Sequence, residues 1–172
     1  MTRFLQSAAV AALFLIAATG ATTGHSRSWN ARLSGSQESP PIKSKASGTA
    51  MVSLVAFGDS SVHYRITTTV LNDVTMAHFH AGAKGENGPI VVTLQTPAKQ
   101  GNIMVSKGVI HASDLSGPMA GKRLDEFAAS VDSGNVYVNV HTQAHPDGEV
   151  RGQLHSGSPR AEGRAKKAAK TP

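Results

Sequence analysis

The chain has 172 residues, 40% of them hydrophobic and 16% charged, which fits one domain of ordinary size and leaves little room for a second. Seventeen glycines and eight prolines scattered between short apolar runs imply many turns and disfavour a long coiled coil, so an all-β domain is expected. The absence of cysteine excludes disulfides, thiolate zinc sites, iron–sulfur clusters and a cysteine nucleophile, and leaves nitrogen and oxygen as the expected donors for any transition metal.

Eight histidines against two tyrosines and one tryptophan make metal binding worth pursuing, because imidazole is a common ligand for borderline metals. The net charge of +6 is concentrated at the ends of the chain. Arg160, Arg164, Lys166, Lys167 and Lys170 against Glu162 supply four of those charges and Arg3 a fifth, so the part between is close to neutral. Such a body does not predict a dedicated nucleic-acid groove. Residues 156–172 are expected to be a disordered basic tail, able to touch anionic surfaces or simply solubilising.

At the other end, residues 1–21 read as a leader. Arg3 precedes an apolar core from Ala8 to Ala18, and Thr19-Gly20-Ala21 place small residues where a signal peptidase reads. The apolar run is short for a membrane span and no charged stop-transfer flank follows it, so cleavage near Ala21 and export to the periplasm or medium are expected, with an uncleaved N-terminal anchor as the competing reading. Residues 22–30 follow as a linker.

The body reads as short strands. Ala50, Val52, Leu54 and Ala56 alternate, although Met51, Val55 and Phe57 blur the pattern. Val62, Tyr64 and Ile66 alternate with His63, Arg65 and Thr67 as a half-buried strand, and Leu71-Asn72-Asp73 turns the chain. Ala77 and Phe79 then alternate with Met76, His78 and His80, a glycine-rich loop follows, and Ile90 to Leu94 form a further strand. Between Asp114 and Ser133, Leu124, Phe127, Ala128 and Val131 fall at helical spacing and predict the one short helix. Val136, Val138 and Val140 alternate with Tyr137, Asn139 and His141, and after a turn Val150, Gly152 and Leu154 alternate with Arg151, Gln153 and His155. Strands at such intervals predict an antiparallel sandwich or barrel.

Alternation also places the histidines. His78 and His80 share the face opposite Ala77 and Phe79, and His141 lies opposite Val136, Val138 and Val140, so three imidazoles are expected to point outward and could converge if their strands are neighbours. A hairpin around Asn72 pairing His80 with Arg65 would set His63 diagonally from His80, about 7 Å away, as a possible further ligand. If Val140 pairs Val150, His155 faces Asn135, about 20 Å from His141, and the two cannot ligate together. His145, in the loop from Thr142 to Gly148, could fold back over His141. His111 and His25 have no pattern around them and are read as surface residues.

Several stretches together resemble one family. They are Leu33-Ser-Gly-Ser-Gln-Glu-Ser-Pro-Pro41, Ser47-Gly-Thr-Ala50, Ala77-His-Phe-His-Ala-Gly82, Gly85-Glu-Asn-Gly-Pro-Ile90, Val136-Tyr-Val-Asn-Val-His-Thr142 and Pro146-Asp-Gly-Glu-Val-Arg-Gly-Gln-Leu154. In this order they resemble the CHRD (chordin) domain over residues 31–155, almost the whole expected mature chain. The CHRD pattern is in turn similar to Cu/Zn superoxide dismutase, which implies a Greek-key antiparallel β-barrel or sandwich with at most one short helix. In that enzyme a His-x-His strand and a late Val-x-His strand supply copper ligands, and a Gly-x-Arg segment carries an arginine that attracts the anion. The resemblance thus implies copper on His78, His80 and His141, with Arg151 in the anion-steering position. Residues 81–89 contain no histidine, so the zinc loop and bridging histidine have no counterpart and a zinc-bearing dismutase is excluded.

Three functions follow as expectations. The first is an exported protein binding one copper ion; without thiolates its preference for Cu(I) would be modest. The second is a copper-only enzyme acting on superoxide, with an open coordination position and Arg151 steering the anion, unless Arg151 is only a surface cation paired to Glu149. The third is a non-catalytic extracellular binding or structural module that would make its contact through a loop such as 81–89. Asp147 and Glu149 flank a turn glycine and are read as solvated, and no nucleophile–base triad appears, so a hydrolase is the least favoured class. Oligomeric state and any protein partner stay open.

Overall fold

The structure is a computed structural model and describes residues 26–56, 59–100 and 103–157. The expected leader over 1–21, His25 and the tail from residue 158 onward lie outside the described residues.

Trp29, Ala31 and Leu33 are buried along β1 (Ser26–Ser34), while Ser28 and Arg32 beside them are exposed, so the strand has one core face and one outer face. Residues 26–30, expected as linker, are therefore strand. The signal was a single alternating triplet without an apolar run. β2 (Ser47–Val55) resolves its blurred pattern in the same way: Ala50, Val52 and Leu54 are buried, and Met51 and Val55 are exposed. β3 (Ser61–Thr69) buries Val62, Tyr64 and Ile66. β4 (Val74–Ala81), β5 (Ile90–Thr93), β6 (Ala98–Gln100), β7 (Ile103–Ile110), β8 (Val136–Thr142), β9 (Val150–Gln153) and β10 (His155–Ser156) complete the strands among the described residues.

These strands form one antiparallel sheet in the order β5-β4-β8-β9-β1-β2-β3-β7-β6, with β10 against β1. β9 returns from far along the chain to lie beside the head of the β1-β2-β3 meander, a Greek-key kind of connection. The sheet curls into an open half-barrel. Tyr64 on β3 meets Phe79 on β4 edge-on, with ring centroids 6.0 Å apart, although four strands separate them in the sheet. Phe79 also lies 5.9 Å from Phe127, so the two limbs of the sheet share one core, to which each fully buried large side chain contributes about 1.5–3 kcal/mol.

The predicted helix is α1 (Leu124–Asp132), with short 3-10 turns over Ala112–Asp114 and Gly117–Met119 before it. Leu124, Phe127, Ala128 and Val131 are its buried stripe, and Asp125 and Glu126 lie in the first turn, where the helix dipole favours acids. At its last residue, Asp132 accepts from Trp29 Nε1 at 2.6 Å and ties the helix to β1.

Two register expectations have different outcomes. Val140 pairs Val150 as anticipated. β3 and β4, however, do not form a hairpin: β3 lies between β2 and β7, and β4 between β5 and β8. The corner between them, with positive φ at Val70 and Asp73, carries the chain across to the other limb of the sheet.

Candidate metal centre

The face of β4, β8 and β9 opposite the core presents three rows of facing residues. Met76 stands opposite His141; His78, Asn139 and Arg151 form the next row; His80, Tyr137 and Gln153 form the third. Alternation forces this, because Ala77, Phe79, Val138, Val140 and Val150 all face the core at 0% exposure.

His78, His80 and His141 do share that face, but they do not look out to solvent. Their exposures are 4%, 8% and 6%, because the loops over residues 82–89 and 143–149 close over them. Each loop grips a ring. His80 Nδ1 donates to the Gly88 carbonyl at 2.9 Å, and His141 Nδ1 donates to the Pro146 carbonyl at 2.9 Å. With these protons on Nδ1, the Nε2 atoms of both rings carry lone pairs, as carbonyl-oriented histidine ligands do. His141 Nε2 lies 3.1 Å from His78 Nδ1, and one ring nitrogen from each of the three histidines falls within 4.8 Å of the others.

Burial holds all three imidazoles below the ordinary histidine range. His78 is lowered to about 4 by burial and by its neighbours His141 and His80. His80 and His141 are also lowered chiefly by burial, against the carbonyl bonds that favour the charged form. At neutral pH the cluster is a set of neutral nitrogen donors. His80 Nε2 is buried without a hydrogen-bond partner, an arrangement that costs free energy unless a donor or a cation takes the lone pair. The residues present therefore fit a metal ion of the imidazole-preferring kind, a group that includes copper, zinc, nickel and iron.

Around the cluster runs a polar frame. Tyr137 stacks on His80, and its hydroxyl accepts from the Gly88 N–H at 3.1 Å. Arg151 is not a surface cation and does not pair with Glu149. It is 1% exposed, its guanidinium lies against the Tyr137 ring, and its terminal nitrogens donate to Asn87 Oδ1, Ala83 O and Glu86 O, pinning the 82–89 loop. Glu149 accepts instead from Ser44 Oγ and Thr142 Oγ1, both at 2.8 Å, so it is bonded rather than merely solvated.

Glu38 reaches over Asn139 from the segment after β1, and burial pushes its carboxyl up to about 7 against the pull of Arg151 and Asn139. Neither Glu38 nor Asn139 was picked out as functional from the sequence. Alternation does place Asn139 on the histidine face, whereas nothing local marks Glu38.

The other candidates lie elsewhere. His63 is exposed on the outer face, opposite Ser53 and Val109, with Ser61 Oγ at 3.1 Å from its Nε2, so the diagonal to His80 does not exist. His145 sits half-buried in its loop but is not among the three clustered histidines. His155 pairs with Asn30 in β10 and His111 is exposed.

Fold and site together define an open, curled all-β module with three buried histidines beneath its loops. A family model, the CHRD domain, matches residues 29–154, and the chain belongs to the CHRD domain family. It is similar to chordin of Xenopus laevis, 33% identical over an alignment of 132 residues that covers 72% of this chain and 12% of chordin; the chain thus corresponds to a small part of that relative. No solved structure matched the chain.

Proposed function

We propose that this is an exported CHRD-domain protein that holds a single copper ion on His78, His80 and His141. The observation that carries the reading is the buried, unpartnered His80 Nε2 within a group of neutral imidazoles whose ring nitrogens lie within 4.8 Å of one another. Copper stands highest among the divalent first-row metals in affinity for such nitrogen donors. When bound it would supply a one-electron couple. The chain's own part is to orient two rings through the Gly88 and Pro146 carbonyls and to exclude water with the loops that carry them.

Binding is preferred to turnover. A copper-only enzyme acting on superoxide asks for an accessible cation beside the ion, and Arg151 is buried with both terminal nitrogens engaged. A second reading, a non-catalytic extracellular module that meets another protein, is favoured by the relationship to chordin.

Copper titration of the purified protein, followed by electron paramagnetic resonance, tests the site. A stoichiometric nitrogen-ligated Cu(II) signal is expected, and it should vanish in the His78→Ala/His80→Ala/His141→Ala variant. No stoichiometric binding by folded wild type, or binding unchanged in the variant, would sink the site and leave the second reading in front. Mass spectrometry of the protein recovered outside the cytoplasm tests export, with an N-terminus near residue 22 expected.

A further inference from the structure

The histidine face carries a fourth donor that the imidazole pattern conceals. Met76 precedes His78 by two residues on β4, and Ala77 and Phe79 face the core at 0% exposure, so Met76 lies on the same face as His78 and His80. In the register of β4 and β8 it stands directly opposite His141, where Cβ atoms are separated by about 4.5–5.5 Å.

Its surroundings change across that short distance. Met76 is 44% exposed, while the three histidines are all under a tenth exposed, so the methionine is the solvent-accessible residue beside the buried histidines on this face. An unbranched side chain with three rotatable bonds can swing its sulfur toward His141 without moving the strand. The sequence candidates for a fourth ligand, His63 and His145, are not brought to the cluster.

We propose that Met76 Sγ is the fourth ligand of the ion held by His78, His80 and His141, and that it makes the site selective for Cu(I). This rests on the copper reading above and deepens it. A thioether is a soft donor, and three imidazoles with one thioether suit Cu(I) better than nitrogen alone. It also revises the expectation that only nitrogen and oxygen are available, since the exclusion of cysteine leaves methionine sulfur.

The test is X-ray absorption at the copper edge on protein loaded anaerobically with Cu(I), for wild type and Met76→Leu, a replacement of similar size and polarity that leaves β4 intact. A sulfur scatterer is expected in wild type and absent in Met76→Leu. Competition with a Cu(I) chelator should show affinity lower by about tenfold or more in the variant, at least the cost of losing an outer partner of a ligand. Competition for Cu(II) should change much less.

Copper bound through nitrogen and oxygen alone in wild type would overturn the Met76 assignment while leaving the three-histidine site standing. Sulfur retained in Met76→Leu would overturn it equally. Failure of wild type to bind copper in either oxidation state would overturn the copper reading itself, and this inference with it.

Discussion

Tyr137 lies flat on His80, with ring centroids 4.9 Å apart and planes 8° from parallel. The guanidinium carbon of Arg151 is 3.4 Å from the centroid of the same tyrosine ring. Tyr137, on the strand between theirs, thus joins a candidate ligand to a buried cation that holds down the loop above it.

Replacing Arg151 by methionine should destabilise the fold by about 2–4 kcal/mol, because the Ala83 and Glu86 carbonyls and the Asn87 amide lose a charged donor. Arg151→Lys should restore little, since a single ammonium cannot reproduce the planar fork that reaches three acceptors. Urea unfolding of the metal-free proteins measures both.

Gly88 supplies the carbonyl that fixes the proton on His80 Nδ1. A Cβ there would run into the Ala81 carbonyl oxygen, so Gly88→Ala must displace this part of the loop. Copper affinity should fall by about 10–100-fold, as when an outer partner of a ligand is lost. Gly85→Ala in the same loop meets nothing within 4 Å, although φ is +85° there, so it should strain the backbone and leave copper affinity nearly unchanged. Calorimetric copper titration of both variants separates the two effects.

Glu38 should make stability fall as pH rises. Burial pushes its carboxyl from the ordinary 4.5 to about 7, so between those values the folded chain keeps a proton that the unfolded chain has lost. The stability tied to that proton is complete below about 4.5 and disappears as pH rises through about 7. Glu38→Gln is neutral throughout. Its stability relative to wild type should therefore increase across this window, while the histidines, common to both proteins, cancel in the comparison. Denaturant unfolding at about pH 5 and about pH 8 checks it; a difference that stays constant would count against a buried, protonated Glu38.

Metal removal should be visible in stability as well. With free copper about a hundredfold above the dissociation constant, binding to the folded state alone adds about 2.7 kcal/mol. A chelator should lower the thermal midpoint of the loaded wild type and leave that of the triple histidine variant where it was.

Much of the fold was legible along the chain. The alternation of Val136, Val138 and Val140 located β8, and the spacing of Leu124, Phe127, Ala128 and Val131 located α1, whereas the pairing of Val140 with Val150 across the 143–149 loop was only one register to be tried. These are local periodicities, and side-chain direction in a strand or helix is a property of the backbone itself. β1 was harder to see because Trp29, Ala31 and Leu33 alone make a short alternating signal, and its strength comes from pairing with β2 over nine residues.

Period two determined by itself that His78, His80 and His141 lie on one side of their strands, opposite Phe79 and Val140. Tertiary structure decided the rest. Only strand order could bring β4 beside β8 and move His63 away, and only the loops over 82–89 and 143–149, drawn in by Arg151, Gly88 and Pro146, could turn a face expected to meet water into a closed cluster of neutral imidazoles. Alternation is set between adjacent residues, whereas burial and register depend on chain segments far apart in sequence, and no local pattern encodes which of them will meet.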